Sequence, residues 1–163
     1  MKALRKISDA LDRICGVLIV FMIGAMVIIT TAQIIFRTWF TALSWSEEVT
    51  RYLLIWSTFL GATCVYLRSG NISITFIQEA FPPRITQILR IAVHIICLAL
   101  FVILFRFGIQ YALSLKKTAT ALPIKMGYIF VVVPVSMAIC AFHALVLLLE
   151  EIGVKSVDKE VKH

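Results

Sequence analysis

Four long apolar runs, separated by short charged stretches, set the pattern of this chain. Ile14 to Phe36 is 23 residues without a formal charge. Val49 to Leu67 is 19 residues, interrupted only by Arg51 near its start. Ile91 to Phe105 is a 15-residue uncharged core bracketed by Arg90 and Arg106, whose stems can reach outward and lengthen it. Met126 to Leu149 is 24 residues with Pro134 inside, which predicts a kink. Crossing ~30 Å of hydrocarbon takes a helix of about 20 residues. The pattern therefore predicts an all-α integral membrane protein of four transmembrane helices. They fall in a single membrane domain over residues 1–163, with spans at about 14–36, 47–67, 85–116 and 126–149.

Two further segments read as lying along the membrane surface. Leu4, Ile7, Leu11 and Ile14 recur at helical spacing, with Lys2, Arg5, Lys6, Asp9 and Asp12 on other faces. That predicts an N-terminal amphipathic interfacial helix over about 2–13, leading into the first span. Asn71 to Phe81 is apolar but too short to cross, and Pro82-Pro83 closes it, so it reads as a short interfacial segment between helices 2 and 3. Pro83 suits the first turn of the third helix. That helix can extend from Arg84 to about Thr118, ~52 Å at 1.5 Å per residue, so it tilts or projects beyond the surface. Residues 150–163 form a tail. The first run is too long for a signal-peptide core and no small-x-small site follows it, so it is read as a retained helix.

Composition agrees with the pattern: 61% of residues are apolar and 15% charged, against about half and a quarter in soluble domains. An even number of spans puts both termini on one side. With the termini in the cytoplasm, the inner segments carry ten basic residues and the outer ones six, which the positive-inside rule favours. The outer connections are then Arg37 to Glu48 and Arg106 to Lys125, in a bacterial inner membrane. The net charge of +7 comes without a basic face or aromatic platform, so phospholipid headgroups rather than nucleic acid are the expected partners. Cys15, Cys64, Cys97 and Cys140 fall one per apolar run without metal-ligand spacing and read as small apolar residues.

Polar residues inside the runs carry the candidate chemistry. Trp45 is placed as an interfacial anchor. Arg51 lies about 9 Å deeper along a helix, with Glu47 and Glu48 four and three residues before it on a reachable face. They form either a local ion pair at a helix start or a polar contact with another helix or subunit. Gln33 and Gln110 read as interhelical hydrogen-bond donors. His94 and His143 fall at similar depth on different helices. Either each bonds a neighbouring carbonyl or serine, or together they ligate a haem b iron as in a redox-enzyme membrane anchor. No P-loop, G-x-S-x-G or H-E-x-x-H occurs, so no enzyme activity and no resident cofactor or metal is expected. Nor are there paired carboxylates at mid-membrane, or the inverted repeats and broken helices of a transport site. An accessory subunit fits better than a stand-alone small transporter.

The run W-S-E-E-V-T-R-Y-L-L-I-W-S-T-F-L-G-A, Trp45 to Ala62, resembles the hallmark of the small membrane subunit of TRAP (tripartite ATP-independent periplasmic) transporters. Trp45, Glu47, Glu48, Arg51, Tyr52, Trp56 and Gly61 lie in it. V-Y-L-R-S-G-N-I-S-I, Val65 to Ile74, continues it through Arg68, Gly70 and Ile72. Ala121 to Ser136 is similar to the start of the family's last helix, through Pro123, Tyr128 and Pro134. One departure is Asn71, where the family commonly carries histidine.

The resemblance implies a division of labour. A large membrane subunit carries the substrate and sodium sites and moves elevator-fashion, and a periplasmic binding protein delivers an organic acid such as a dicarboxylate, keto acid or sialic acid. The small subunit braces the large one. On that reading Glu47, Glu48 and Arg51 fix the second helix against itself or the large subunit. Tyr52, Trp56 and Leu60 share one stripe that packs on the partner or in the subunit's own core. Lys116, Lys117 and Lys125, on the outer side, dock the binding protein or contact headgroups.

Overall fold

The chain is helical almost throughout: α1 (Lys2–Trp39), α2 (Ser44–Ala80), α3 (Pro83–Ser114), α4 (Met126–Phe130) and α5 (Val132–Glu160). The computed structural model describes the backbone of residues 2–39, 43–80, 83–119, 121 and 123–160, and the side chains of 4–39, 43, 45–68, 85, 86, 88–119, 121 and 123–152. Among these, three helices are long and apolar enough to cross a membrane: Leu4–Trp39, Ile88–Ser114 and Met126–Ile152. In hydrocarbon a helix satisfies its own backbone polar groups, which is why such runs settle into it. The hydroxyls of Thr30, Thr31 and Thr38 follow the same logic. They donate to the carbonyls of Met26, Val27 and Ile34 at 2.8, 2.8 and 2.9 Å, so none of these three hydroxyls is left loose.

Residues 2–13, expected as an interfacial helix leading into the first span, form one continuous 38-residue α1 with it. No proline interrupts the run, and Arg5, Ser8 and Asp12 find partners on α5 and α2 that hold the segment against the bundle. Residues 71–80 likewise continue α2 without a break. Pro83 does head α3. That helix stops at Ser114, short of the expected 116, because the chain doubles back: Met126 N–H donates to Lys117 O and Ala119 N–H to Ile124 O, both at 2.9 Å.

Pro134 leaves its mark three residues upstream of itself. Having no N–H, it cannot bond the Phe130 carbonyl, and the helix ladder lapses at Val131 between α4 and α5. Val131 keeps helical angles (φ −59°, ψ −26°), so the lapse interrupts the hydrogen bonding without turning the chain.

The packing is two antiparallel hairpins joined side by side. Along the first, Gln33 meets Glu47 at one end and Asp12 meets Arg68 at the other. Along the second, Gly108 lies against Pro134 and Arg90 against Glu151. α2 and α5 make the seam, with Cys15, Leu60, Cys64 and Val132 buried where α1, α2 and α5 meet. α5 is the central element, while the spanning parts of α1 and α3 leave most of their apolar surface uncovered.

Candidate functional site

Polar groups frame the bundle at both ends. At the end holding the N-terminus, three ion pairs among the described residues each tie two helices together. Arg5 pairs with Glu150 (α1 to α5), Arg90 Nη1 with Glu151 Oε1 at 3.1 Å (α3 to α5), and Arg68 Nη2 with Asp12 Oδ2 at 3.0 Å (α2 to α1). The Arg90–Glu151 pair is largely sheltered, with side chains 18% and 17% exposed, whereas Arg68 is 66% exposed. The hydrogen bond and charge of Asp12 raise the Arg68 pKa above its ordinary value. Between Arg5 and Asp12 along α1, Ser8 Oγ lies 2.7 Å from His143 Nδ1 with both side chains fully buried.

At the other end, the acidic residues of the Trp45–Tyr52 stretch reach past each other. Gln33 Nε2 of α1 donates to Glu47 Oε1 at 3.3 Å, and the backbone N–H of Ala121 donates to Glu48 Oε2 at 3.0 Å. Among the described residues neither carboxylate is ion-paired with Arg51, whose side chain is exposed. Gln33 thus joins two helices, while Gln110 is exposed and its carbonyl accepts the Ser114 hydroxyl at 2.7 Å. Trp45 is 44% exposed at the start of α2.

The aromatic stripe of α2 turns inward. Leu60 is in the core, Trp56 packs against that core, and the Trp56 indole N–H donates to Ile129 O at 2.9 Å. Tyr52 is half-buried, and the space beside Gly61 is open. Asn71, Gly70 and Ile72 have side chains outside the described residues. Lys116, Lys117 and Lys125 are all exposed on the connection between α3 and α4.

The two histidines take partners within the chain. His143 uses Ser8, and His94 Nδ1 lies 3.2 Å from the Tyr66 hydroxyl with the rings edge to face. Among the described residues His143 Nε2 is buried without a hydrogen-bond partner. Sequence reasoning singled out the histidines but passed over Ser8, Asp12, Tyr66, Glu150 and Glu151. A signal existed for two pairs: Arg90 and Glu151 sit about equally far from the middle of the α3–α4 connection, and Asp12 and Arg68 from that of the α1–α2 connection, so each hairpin brings its pair together.

Comparison with known proteins gives this geometry a family. The family model for tripartite ATP-independent periplasmic transporters, DctQ component, matches residues 26–153. This chain belongs to that family. A protein of Haemophilus influenzae described as a TRAP transporter small permease is 26% identical over 118 residues, covering 71% of this chain and 73% of the relative. The DctQ component is a membrane-transporter subunit and not an enzyme. The match takes in the Glu47–Glu48–Arg51 cluster, Trp56, Arg90, His143 and Glu151. Arg5, Ser8 and Asp12 precede it, so their partners on α2 and α5 lie inside the family region and they themselves outside.

Proposed function

We propose that this DctQ component is the static small subunit of a TRAP transporter, lying in the bacterial inner membrane with both termini cytoplasmic. It braces a large elevator-type subunit that takes up an organic acid, of the dicarboxylate, keto acid or sialic acid class, with sodium. The family match over residues 26–153 carries the reading. The bundle's interior supports it: where α1, α2 and α5 meet, apolar side chains fill the space, which suits a brace better than a path for an anion.

On this reading α2 is a fourth span. Its contacts run from Glu47 beside Gln33 to Arg68 beside Asp12, alongside 21 residues of α1, or ~32 Å. A helix lying along a spanning helix for that length crosses with it. The exposed apolar surfaces of α1 and α3 then face lipid or the large subunit. A periplasmic binding protein delivers the substrate, and the coupling ion binds in the large subunit.

The test is purification of the tagged protein from its native membranes in mild detergent, with co-eluting chains identified by mass spectrometry. A stoichiometric, much larger multi-span protein supports the reading. Recovery of this chain by itself, under conditions that retain other membrane complexes, overturns it. Uptake by the reconstituted complex with and without a sodium gradient tests the coupling.

A further inference from the structure

The ends of two candidate spans, Ile88–Ser114 and Met126–Ile152, enclose an open groove of about 430 Å³. Its walls are mostly apolar, from Leu113 and Leu115 on one side to Tyr128 and Val131 on the other, and Lys116 and Lys125 stand at its edge. Leu113 and Tyr128 are 77% and 69% exposed, so they line the groove without being committed to the core. Its floor is a close approach of α3 and α4: a Cβ on Gly127 would lie 2.6 Å from Ala112 O. Among the described residues neither lysine is ion-paired with a carboxylate.

We propose that this groove binds one anionic phospholipid, its phosphate between the ammonium groups of Lys116 and Lys125 and an acyl chain along Leu113, Tyr128 and Val131. The inference rests on the reading of α3 and α4–α5 as membrane spans, and not on the partner subunit. Apolar walls at the end of two spans, with two lysines that pair with no carboxylate among the described residues, match the two halves of such a lipid. An apolar surface there takes an acyl chain, and cations at headgroup depth favour a negative phosphate over a zwitterion. A soluble phosphate ion would use the lysines and leave the apolar walls wet.

The experiment is native mass spectrometry of the purified membrane complex, with lipid occupancy read on this subunit after its release. The complex is delipidated and then titrated with phosphatidylglycerol, phosphatidylcholine or inorganic phosphate. One molecule of phosphatidylglycerol is expected to bind, with phosphatidylcholine much weaker. The double variant Lys116→Gln/Lys125→Gln is expected to lose about thirtyfold in affinity, from ~1 kcal/mol per basic residue at the membrane surface. Leu113→Trp, at an exposed position, fills the groove without altering charge and is expected to weaken the same lipid.

Equal retention of both lipids, or no change in either variant, overturns the proposal. So does full competition by inorganic phosphate, or a double variant that keeps the lipid but loses the periplasmic binding protein. Co-elution of the large subunit is scored separately, so loss of the brace reading is distinguished from loss of the lipid site.

Discussion

The indole N–H of Trp56 in α2 donates a 2.9 Å hydrogen bond to the carbonyl of Ile129 in α4. That carbonyl lies one residue before the one that Pro134 deprives of its helical donor. The tryptophan therefore joins the two hairpins where the second is least able to support itself. Its ring packs on the Leu60–Cys64–Val132 core while its polar edge serves the backbone. Trp56→Phe keeps most of the ring and removes the donor. It is expected to cost about 1 kcal/mol, read as a lower melting temperature of the purified protein in detergent.

Ser8 and His143 form a buried pair whose loss should be non-additive. Ser8→Ala leaves the imidazole Nδ1 without its partner and is expected to destabilise by about 1–3 kcal/mol. In a His143→Phe background the same change should cost much less, because no ring nitrogen remains to be satisfied. A double-mutant cycle that shows simple additivity would argue against the hydrogen bond.

The three ion pairs should differ in worth according to their shelter. Arg90→Ala removes a largely sheltered ion pair, and a loss of about 2 kcal/mol is expected, below the ~3–5 kcal/mol of fully buried pairs. Arg68→Ala removes a mostly exposed guanidinium, screened by solvent, and should cost less than Arg90→Ala even though its partner Asp12 is sheltered. Melting temperatures of the two variants, taken at low and high salt, check the ranking; the Arg68 contribution should fade with salt while that of Arg90 persists.

Gly127 is required by proximity, since φ is not positive at any described residue. With 2.6 Å between a Cβ and the Ala112 carbonyl, Gly127→Ala must push the α4 backbone away from α3. Overpacking of this kind costs about 1–3 kcal/mol. Gly61, with open space beside it, is the control, and Gly61→Ala should leave stability unchanged.

Among the described residues Arg51 makes no ion pair with Glu47 or Glu48, and its side chain is exposed. Arg51→Leu should therefore leave the melting temperature of the isolated subunit within experimental error. If the guanidinium meets the large subunit, the same variant reduces co-purification of that subunit and uptake. Normal assembly together with normal uptake would remove Arg51 from the interface.

The periodic and compositional features of this chain were legible without coordinates. Long uncharged runs force helices because hydrocarbon offers backbone groups no other partner, and Pro83 marks the start of α3 through its own ring. The side-chain destinations were not. The Glu47–Glu48–Arg51 spacing permits a local ion pair, yet the acids turn to Gln33 and to the Ala121 N–H, groups that approach only once α1 and the α3–α4 connection are in place. Similarly, Arg5 and Asp12 look like the polar face of a surface helix until Glu150 and Arg68 are brought beside them.

The sequence by itself determined the membrane class, the helices and the family, since each depends on local hydropathy or on a contiguous motif. Only the tertiary structure decided that residues 2–13 continue α1, and that Trp56 points into its own bundle. It also decided that Lys116 and Lys125 share a groove. Those outcomes depend on which helices lie side by side, and contacts such as Arg5 to Glu150, 145 residues apart, leave no trace in local periodicity.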